Sequence, residues 1–545
     1  MRSFKLKRVF TRGALLSLAV DVAIIIAGSE PLCAAPGTTG EPATAPAGAT
    51  QRSVAEFDSL YSQWEALIGK RKMAAARVKS PVAADGDAAK AQIVEVSRQA
   101  DELLPRLVAA AEAAYAADKS NKTVTAFLFQ YAQVAFQEDR FEDTARIVRL
   151  LVEHDFENHY IYKLGAYACL EIDELDEATA YFRRAEEAGI SDGKDARYLQ
   201  VIEAVREPSR RERTRRAAEA SADNLPRVLV KTTQGDLLLE LFENDAPNAV
   251  ANFISLVAQK FYDDLEFFRV VKGFGALVGC PKGDGTGGPG YEIAADVDAT
   301  NYRPHMRGSV SLVAASPGRC GSQVLFVTRP SQTIQFNAQQ PVIGRIIDGM
   351  DVLTRLQPVD PHAIAVDLPP DRILTATVVR KRNHAYKPVT LTDVANKYVA
   401  AATVALRRGR VDEAIEQFKE AVRFDPGNFD AYYRAGDILF QQKKFEAAAY
   451  ALKHAHKLEP THLGTLTRLG RALFHVKRYE DAAIPLKSVL VVRPDDNEAR
   501  IHLALALEKL DSRDEALLHA KEVLRRAPGE ARAEAIVKRL EPPNR

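Results

Sequence analysis

At 545 residues the chain is too long for one hydrophobic core, so roughly three or four domains are expected. Lys and Arg number 74 against 73 Asp and Glu, and a net charge of +1 argues against nucleic acid or an acidic membrane as principal partner. Four cysteines are too few for a disulfide scaffold and none is spaced with His as in a zinc site, so no metal is expected.

Residues 2–12 (RSFKLKRVFTR) are basic, and residues 14–27 (ALLSLAVDVAIIIA) are apolar apart from Asp21. That apolar run is short for a membrane span and fits a secretory signal peptide over residues 1–29. Export to a periplasmic or other extracytoplasmic space is the expectation. Membrane attachment follows only if the segment stays uncleaved or Cys33 is lipidated, and a cytoplasmic protein follows if Asp21 spoils the signal. Residues 30–52 are rich in Ala, Pro, Gly and Thr and read as a flexible linker.

From residue 53 to 222 apolar side chains recur every three or four positions, as in amphipathic helices. Phe141 to Leu151 (FEDTARIVRLL) and Leu175 to Ala185 (LDEATAYFRRA) look like two copies of one helix, with Thr144 opposite Ala178. The region resembles degenerate tetratricopeptide repeats, with a generic helical bundle as the alternative. Residues 207–216 (EPSRRERTRR) read as a solvated helix end or hinge, because interspersed glutamates and missing aromatics argue against an anionic partner.

Residues 226–382 change character. Alternating segments such as Val228 to Lys231 and Asp236 to Leu241 predict strands, with one helix over Ala246 to Gln259 and a short one near Met350 to Leu356. Arg269 interrupts the apolar run Phe267 to Val271, where a charge is costly unless it has a partner or a task. Gly273 and Phe274 follow, then a glycine-rich loop from Gly283 to Gly290. That loop lacks the Gly-Lys-Ser/Thr ending and the helix start of a phosphate site.

The order FFRVVKGF, GTGGPGY, GSQVLFVT and VIGRIIDGMDVL, entered by VLVKTTQGDLLLELFENDAPNAVANFISLV, resembles the cyclophilin family of peptidyl-prolyl isomerases. The resemblance implies a closed antiparallel β-barrel capped by two helices, needing no cofactor and acting on proline-containing polypeptides. A prolyl amide isomerises over a barrier of about 18–20 kcal/mol, because its C–N bond has double-bond character. A permanently charged guanidinium that engages the prolyl nitrogen weakens that conjugation. By resemblance Arg269 is this donor, Phe274, Leu325 and Phe336 wall the proline pocket, and Gln323 and the main chain of Ala314 hold the substrate backbone. Gln340 stands where the family often has histidine.

The departures are as informative. Phe268, Gly275 and Leu277 occupy positions where the family carries histidine, methionine and the glutamine that steadies the arginine. Leu325 and Gln335 replace aromatics. A weakened isomerase is expected, with a non-catalytic scaffold that binds proline-containing segments as the alternative. Cys280 and Cys320 fall in loops that lie near each other in cyclophilins; a disulfide between them is one reading and two free thiols the other.

In residues 390–540, Pro426, Pro460, Pro494 and Pro528 recur every 34 residues, and Ala414, Ala448, Ala482 and Ala516 keep the same period. This is the tetratricopeptide signature and predicts a solenoid whose groove takes a protein partner. Some eukaryotic cyclophilins carry such repeats to clamp a chaperone's carboxylate tail. Here Val399, Thr403 and Arg434 replace that clamp's polar residues and only Arg468 matches, so a different partner is expected.

Overall fold

The computed structural model describes residues 47–78, 83–154, 156–359 and 369–541, which fall into two compact units. The predicted signal peptide and most of the predicted linker, residues 1–46, lie outside the described residues. The first unit holds the N-terminal helices and the sheet, up to residue 387. The second holds residues 290–294 and the chain from 388 onward.

Helix α1 (Ala47–Arg77) starts inside the expected linker, directly after its last proline, Pro46. Proline is costly in a helix interior, and the helix begins just after the last proline of this stretch. Helix α2 (Ala83–Ala117) pairs with α1, and Trp64 and Phe57 are buried against Phe127 of α3 (Lys122–Gln137). Asn121 caps α3 by accepting from Thr123 N–H at 3.1 Å and Val124 N–H at 3.2 Å. Helices α4 (Phe141–Val152), α5 (Tyr160–Glu171) and α6 (Leu175–Glu187) complete two helix hairpins. A Cβ at Gly165 would lie 2.7 Å from Val148 Cγ1, so only glycine fits where α4 and α5 meet.

The arginine-dense run differs from expectation. It lies inside α7 (Gly193–Ala222), with Ser209 and Glu212 buried. Arg213 pairs with Asp173 at 2.9 Å, while Arg211 and Arg215 donate to the Thr300 and Asn301 carbonyls, each at 3.2 Å. Arg210 and Arg213 remain exposed, as a solvated run would be, but the stretch is the interior of a helix and not its end or a hinge.

The strands are β1 (Arg227–Thr232), β2 (Gly235–Leu241), β3 (Arg269–Val271), β4 (Gly275–Val278), β6 (Ser309–Ser316), β7 (Arg319–Val327), β8 (Val342–Asp348) and β9 (Ile373–Arg380). They follow the order β3-β4-β7-β6-β8-β2-β1-β9. A two-residue strand, β5 (Ile293–Ala294), lies off this path. The expected closed barrel is not formed as a continuous ladder. The edges β3 and β9 are joined through the Glu266–Arg372 bridge and a 2.9 Å bond from Phe267 N–H to the Asp371 carbonyl. Asp371 is meanwhile drawn inward by Thr233 and Gln234 at 2.6 and 2.8 Å, which bends the chain before β9 begins. Helices α8 (Pro247–Ala258) and α9 (Met350–Arg355) match the two predicted helices to within a residue at each end.

The second unit contains four helix pairs: α10 (Leu391–Arg407) with α11 (Val411–Phe424), α12 (Phe429–Gln441) with α13 (Phe445–Leu458), α14 (Leu463–His475) with α15 (Tyr479–Val492), and α16 (Asn497–Lys509) with α17 (Arg513–Arg526). Helix α18 (Ala531–Leu540) follows. Each periodic proline stands two residues past the end of a second helix, and the four periodic alanines are fully buried. Asn428, His462 and Asp496, also 34 apart, cap the next helix by accepting from Ala431, Thr465 and Ala499 N–H.

Candidate active site

Strands β3, β4, β7 and β6 set one row of residues across the sheet: Arg269 opposite Leu277, Leu277 opposite Leu325, Leu325 opposite Ser311. Directly opposed residues project to the same face. The adjacent row, Val270, Ala276, Phe326 and Val310, projects the other way and is buried core. Period-two alternation therefore locks Arg269 onto the face that carries Leu277 and Leu325. Arg269 is exposed, with no hydrogen bond or ion pair among the described residues, whereas Leu325 is buried.

The Phe274 ring meets Phe336 edge to face, centroids 6.1 Å apart at 83°, a favourable arrangement of the two quadrupoles. The Phe274 carbonyl accepts from Thr328 N–H at 3.2 Å, tying this wall to the end of β7. The departure at Gly275 has a local reason: a Cβ there would lie 2.3 Å from the Phe326 carbonyl oxygen and 3.1 Å from Leu325 Cδ1. The backbones approach too closely for the family's methionine, and Leu325 fills the space.

Gln323 spends its amide hydrogens on the glycine-rich loop, donating to the Gly285 carbonyl at 2.7 Å and the Gly287 carbonyl at 3.0 Å. Its carbonyl oxygen is what it has left for a ligand N–H. Gln340 Oε1 is buried with no hydrogen-bond partner among the described residues, a second unused acceptor in this region. Ala314 sits half-buried opposite Cys320 in the β6–β7 ladder.

No disulfide joins Cys280 and Cys320, which corrects the disulfide reading. The register that opposes Val278 to Val324 carries residue 280 toward residue 322, two residues short of Cys320. Cys280 Sγ instead accepts from Gly287 N–H at 3.1 Å and closes the glycine loop. Among the described residues one group has metal-ligand composition: Cys169, Glu174 and Glu177. Arg149 pairs with both glutamates, and burial pushes the Cys169 thiol up to about 12, so those side chains are already satisfied as a structural cluster.

Two contributors escaped the sequence reading. His305 packs edge-on behind Phe336, centroids 6.1 Å apart, and is buried. Its Nδ1 and Nε2 lie 2.9 Å from Asn337 Oδ1 and Ser311 Oγ. Burial brings its pKa down to about 4, so the ring is neutral. A proton on Nδ1 donates to Asn337, and the single hydrogen of the Ser311 hydroxyl is shared between Nε2 and the Pro341 carbonyl at 3.1 Å. The second contributor is Asp139, in the turn between α3 and α4, whose carboxylate accepts from Gly273 N–H at 2.7 Å. A cavity of about 660 Å³ lies elsewhere, lined by Glu171, Asp173, Glu212, Arg213 and Arg307 among others, and holds none of the pocket residues.

Known proteins align with the same stretch. Residues 227–378 match the family described as cyclophilin type peptidyl-prolyl cis-trans isomerase/CLD, and residues 399–458 and 439–497 match two tetratricopeptide repeat families. A peptidyl-prolyl cis-trans isomerase of Helicobacter pylori is 42% identical over 132 residues, 24% of this chain and 78% of the relative. One from Synechococcus elongatus is 42% identical over 106 residues, 19% of this chain and 71% of the relative. Among solved structures, a cyclophilin type peptidyl-prolyl cis-trans isomerase of Cryptosporidium parvum, crystallised with the dipeptide Ala-Pro, is 27% identical. It covers 28% of this chain and 99% of its own, with a TM-score of 0.26.

Proposed function

The chain belongs to the cyclophilin-type peptidyl-prolyl cis-trans isomerases, and from that premise we propose that residues 226–382 isomerise prolyl bonds in polypeptide clients, with Arg269 as the catalytic group. The observation that carries this reading is Arg269 itself: a guanidinium without a protein partner among the described residues, fixed by strand register beside Leu277 and Leu325. Phe274 and Phe336 supply an aromatic wall for the proline ring, and the Gln323 and Gln340 carbonyls are acceptors for the substrate backbone. The guanidinium donates to the prolyl nitrogen as it pyramidalises, and no covalent intermediate is needed.

The rate is weakened, because Leu277 opposite Arg269 has no polar group to orient it. One missing orienting partner costs about one to two powers of ten. The same observation favours a second reading, a proline-segment-binding scaffold without useful catalysis. A protease-coupled or exchange-NMR assay of the full chain against Arg269→Ala separates the two. The isomerase reading requires the variant to lose at least about tenfold, and equal rates leave only the scaffold.

The tetratricopeptide array supplies a groove for a protein partner, and the protein works outside the cytoplasm, delivered by residues 1–29. Fusing those residues to an export reporter tests the second statement, and retention of the reporter in the cytoplasm disproves it.

A further inference from the structure

Asp139 stands in the left-handed turn between α3 and α4, at φ 61°, and is 1% exposed. A buried carboxylate is tolerated only when hydrogen-bonded, and every side-chain donor it has comes from the isomerase domain. Oδ2 accepts from Gly273 N–H at 2.7 Å and from the Thr328 hydroxyl at 3.1 Å, and Oδ1 from Arg329 Nη2 at 3.2 Å. These donors flank one element. Gly273 precedes Phe274, and the Phe274 carbonyl in turn accepts from Thr328 and Arg329 N–H at 3.2 and 3.4 Å.

The surrounding contacts reinforce the arrangement. The Arg329 guanidinium lies 5.0 Å from the ring centroids of both Phe136 and Phe141, and 3.3 Å from where a Cβ on Gly273 would stand. Glu171, at the end of α5, accepts from Ser331 N–H at 3.0 Å and from the Ser331 hydroxyl. Ser331 opens the segment that carries Phe336. Both aromatic walls of the pocket are thus tied at their backbones to acidic residues of the helical domain.

We propose that Asp139 is a positioning residue for prolyl isomerisation: through the Gly273 amide and the Thr328–Arg329 corner it holds Phe274 against Phe336, so the helical domain completes the pocket. The inference rests on the isomerase reading above and deepens it. Within this sheet Leu277 offers Arg269 no support, so rigidity of the aromatic wall is what remains to orient a proline ring beneath the guanidinium.

The test uses the full chain and compares Asp139→Ala with Glu142→Gln. Glu142 pairs with Arg307 at 2.7 Å in the same docking surface but does not touch the Phe274 segment. The readouts are kcat and KM for a proline peptide, and amide exchange over residues 272–274 by mass spectrometry. Asp139→Ala lowers kcat/KM about tenfold, mainly through KM because the wall touches ground and transition states alike, and speeds exchange; Glu142→Gln stays within about twofold on both. The proposal is overturned by faster exchange with an unchanged rate in Asp139→Ala, or by equal losses in both variants, which would mean only that docking was weakened. Unchanged rate and exchange in Asp139→Ala likewise reject it. Asp139→Asn, which suits the left-handed turn, replaces the alanine variant if that one fails to fold. If Arg269→Ala and the wild type prove equally inactive, the isomerase reading falls, and exchange alone decides whether Asp139 holds the loop.

Discussion

The two helical arrays share one turn and use it differently. Asp139 and Asp173 in the first array, and Lys443, Lys477 and Asp511 in the second, all adopt φ near 60° where one helix of a pair hands over to the next. In the second array these residues are exposed and serve the turn alone. In the first, Asp139 is buried under three donors from the isomerase domain, and Asp173 takes Arg213 of α7. Backbone geometry sets where a repeat turns; the side chain decides whether the turn becomes an interface. At Asp139, where the turn is acidic and buried, the array has become part of its neighbour; at Asp173 the same turn serves a helix of its own array.

The largest break in the comparison is substitution of that side chain. Asp139→Ala strips three donors, one of them buried, of their acceptor and is expected to cost the first unit about 3 kcal/mol, while Lys477→Ala in the second stays within about 0.5 kcal/mol. Trp64 is the one tryptophan and is buried in the first array, so its fluorescence during urea unfolding isolates that unit. Equal midpoints for wild type and Asp139→Ala would show that the buried carboxylate holds nothing.

Glu171 gives the next largest effect. Burial raises its carboxyl to about 7, against the lowering pull of Ser331 and of Arg329 at 4.0 Å, with Asp139 adding to the rise. A carboxyl raised in the folded state holds its proton there after the unfolded chain has lost it. Stability from this group is therefore full below about pH 4.5 and declines as pH climbs to about 7, by about 3 kcal/mol at most. His305, held low by burial, contributes in the opposite direction as pH rises from about 4 toward 6.5, so only the difference between variants is informative. Glu171→Gln gains on the wild type steadily across pH 4.5–7 in the Trp64 unfolding assay; a constant difference would contradict the placement of that carboxyl.

Smaller again is the effect of crowding where helices cross. A Cβ at Gly470 would lie 2.6 Å from Leu486 Cγ, and one at Gly165 2.7 Å from Val148 Cγ1. Alanine at either position costs about 1–3 kcal/mol by overpacking. Gly470→Ala leaves isomerisation untouched, whereas Gly165→Ala lowers it, because the array it loosens carries Asp139. Identical activity in the two variants would remove that distinction.

Much of this was legible before any coordinates. The 34-residue spacing of Pro426 and its repeats marked helix ends to within two residues, because proline disfavours continuing a helix and recurs here where each second helix stops. The family motifs pointed to Arg269, Phe274 and Gln323 by resemblance, and strand register fixes the face on which Arg269 stands. Asp139 was illegible because its three bonds join residues more than 130 positions apart, and its local sequence shows only a turn. His305 was missed for a related reason: no motif surrounds it, and its role depends on Asn337 and Ser311 converging on it. The disulfide failed on register, since proximity of two loops does not fix which residues face each other.

The smallest expected change is in the pH dependence of the isomerisation rate, and it bears on the mechanism most directly. Catalysis by Arg269 needs a group whose charge never changes, and a guanidinium stays protonated at every working pH. Two titratable side chains stand behind the aromatic wall: His305, neutral above about pH 4 because it is buried, and Glu171, raised to about 7 by burial and accepting from Ser331 at the head of the Phe336 segment. Between pH 6 and 9 only the ionisation of Glu171 reaches the wall, and it does so at the backbone, so kcat/KM is expected to vary less than about twofold there. Below pH 6 protonation of His305 is the source of decline in this site: it charges a buried ring and turns Nε2 from an acceptor into a donor toward Ser311 Oγ, whose own hydrogen then goes to the Pro341 carbonyl. His305→Gln, which still presents an acceptor and a donor, removes that decline if the ring is its cause. A bell-shaped profile centred near neutrality in both proteins would mean that a general acid or base, and not a fixed cation, carries the reaction.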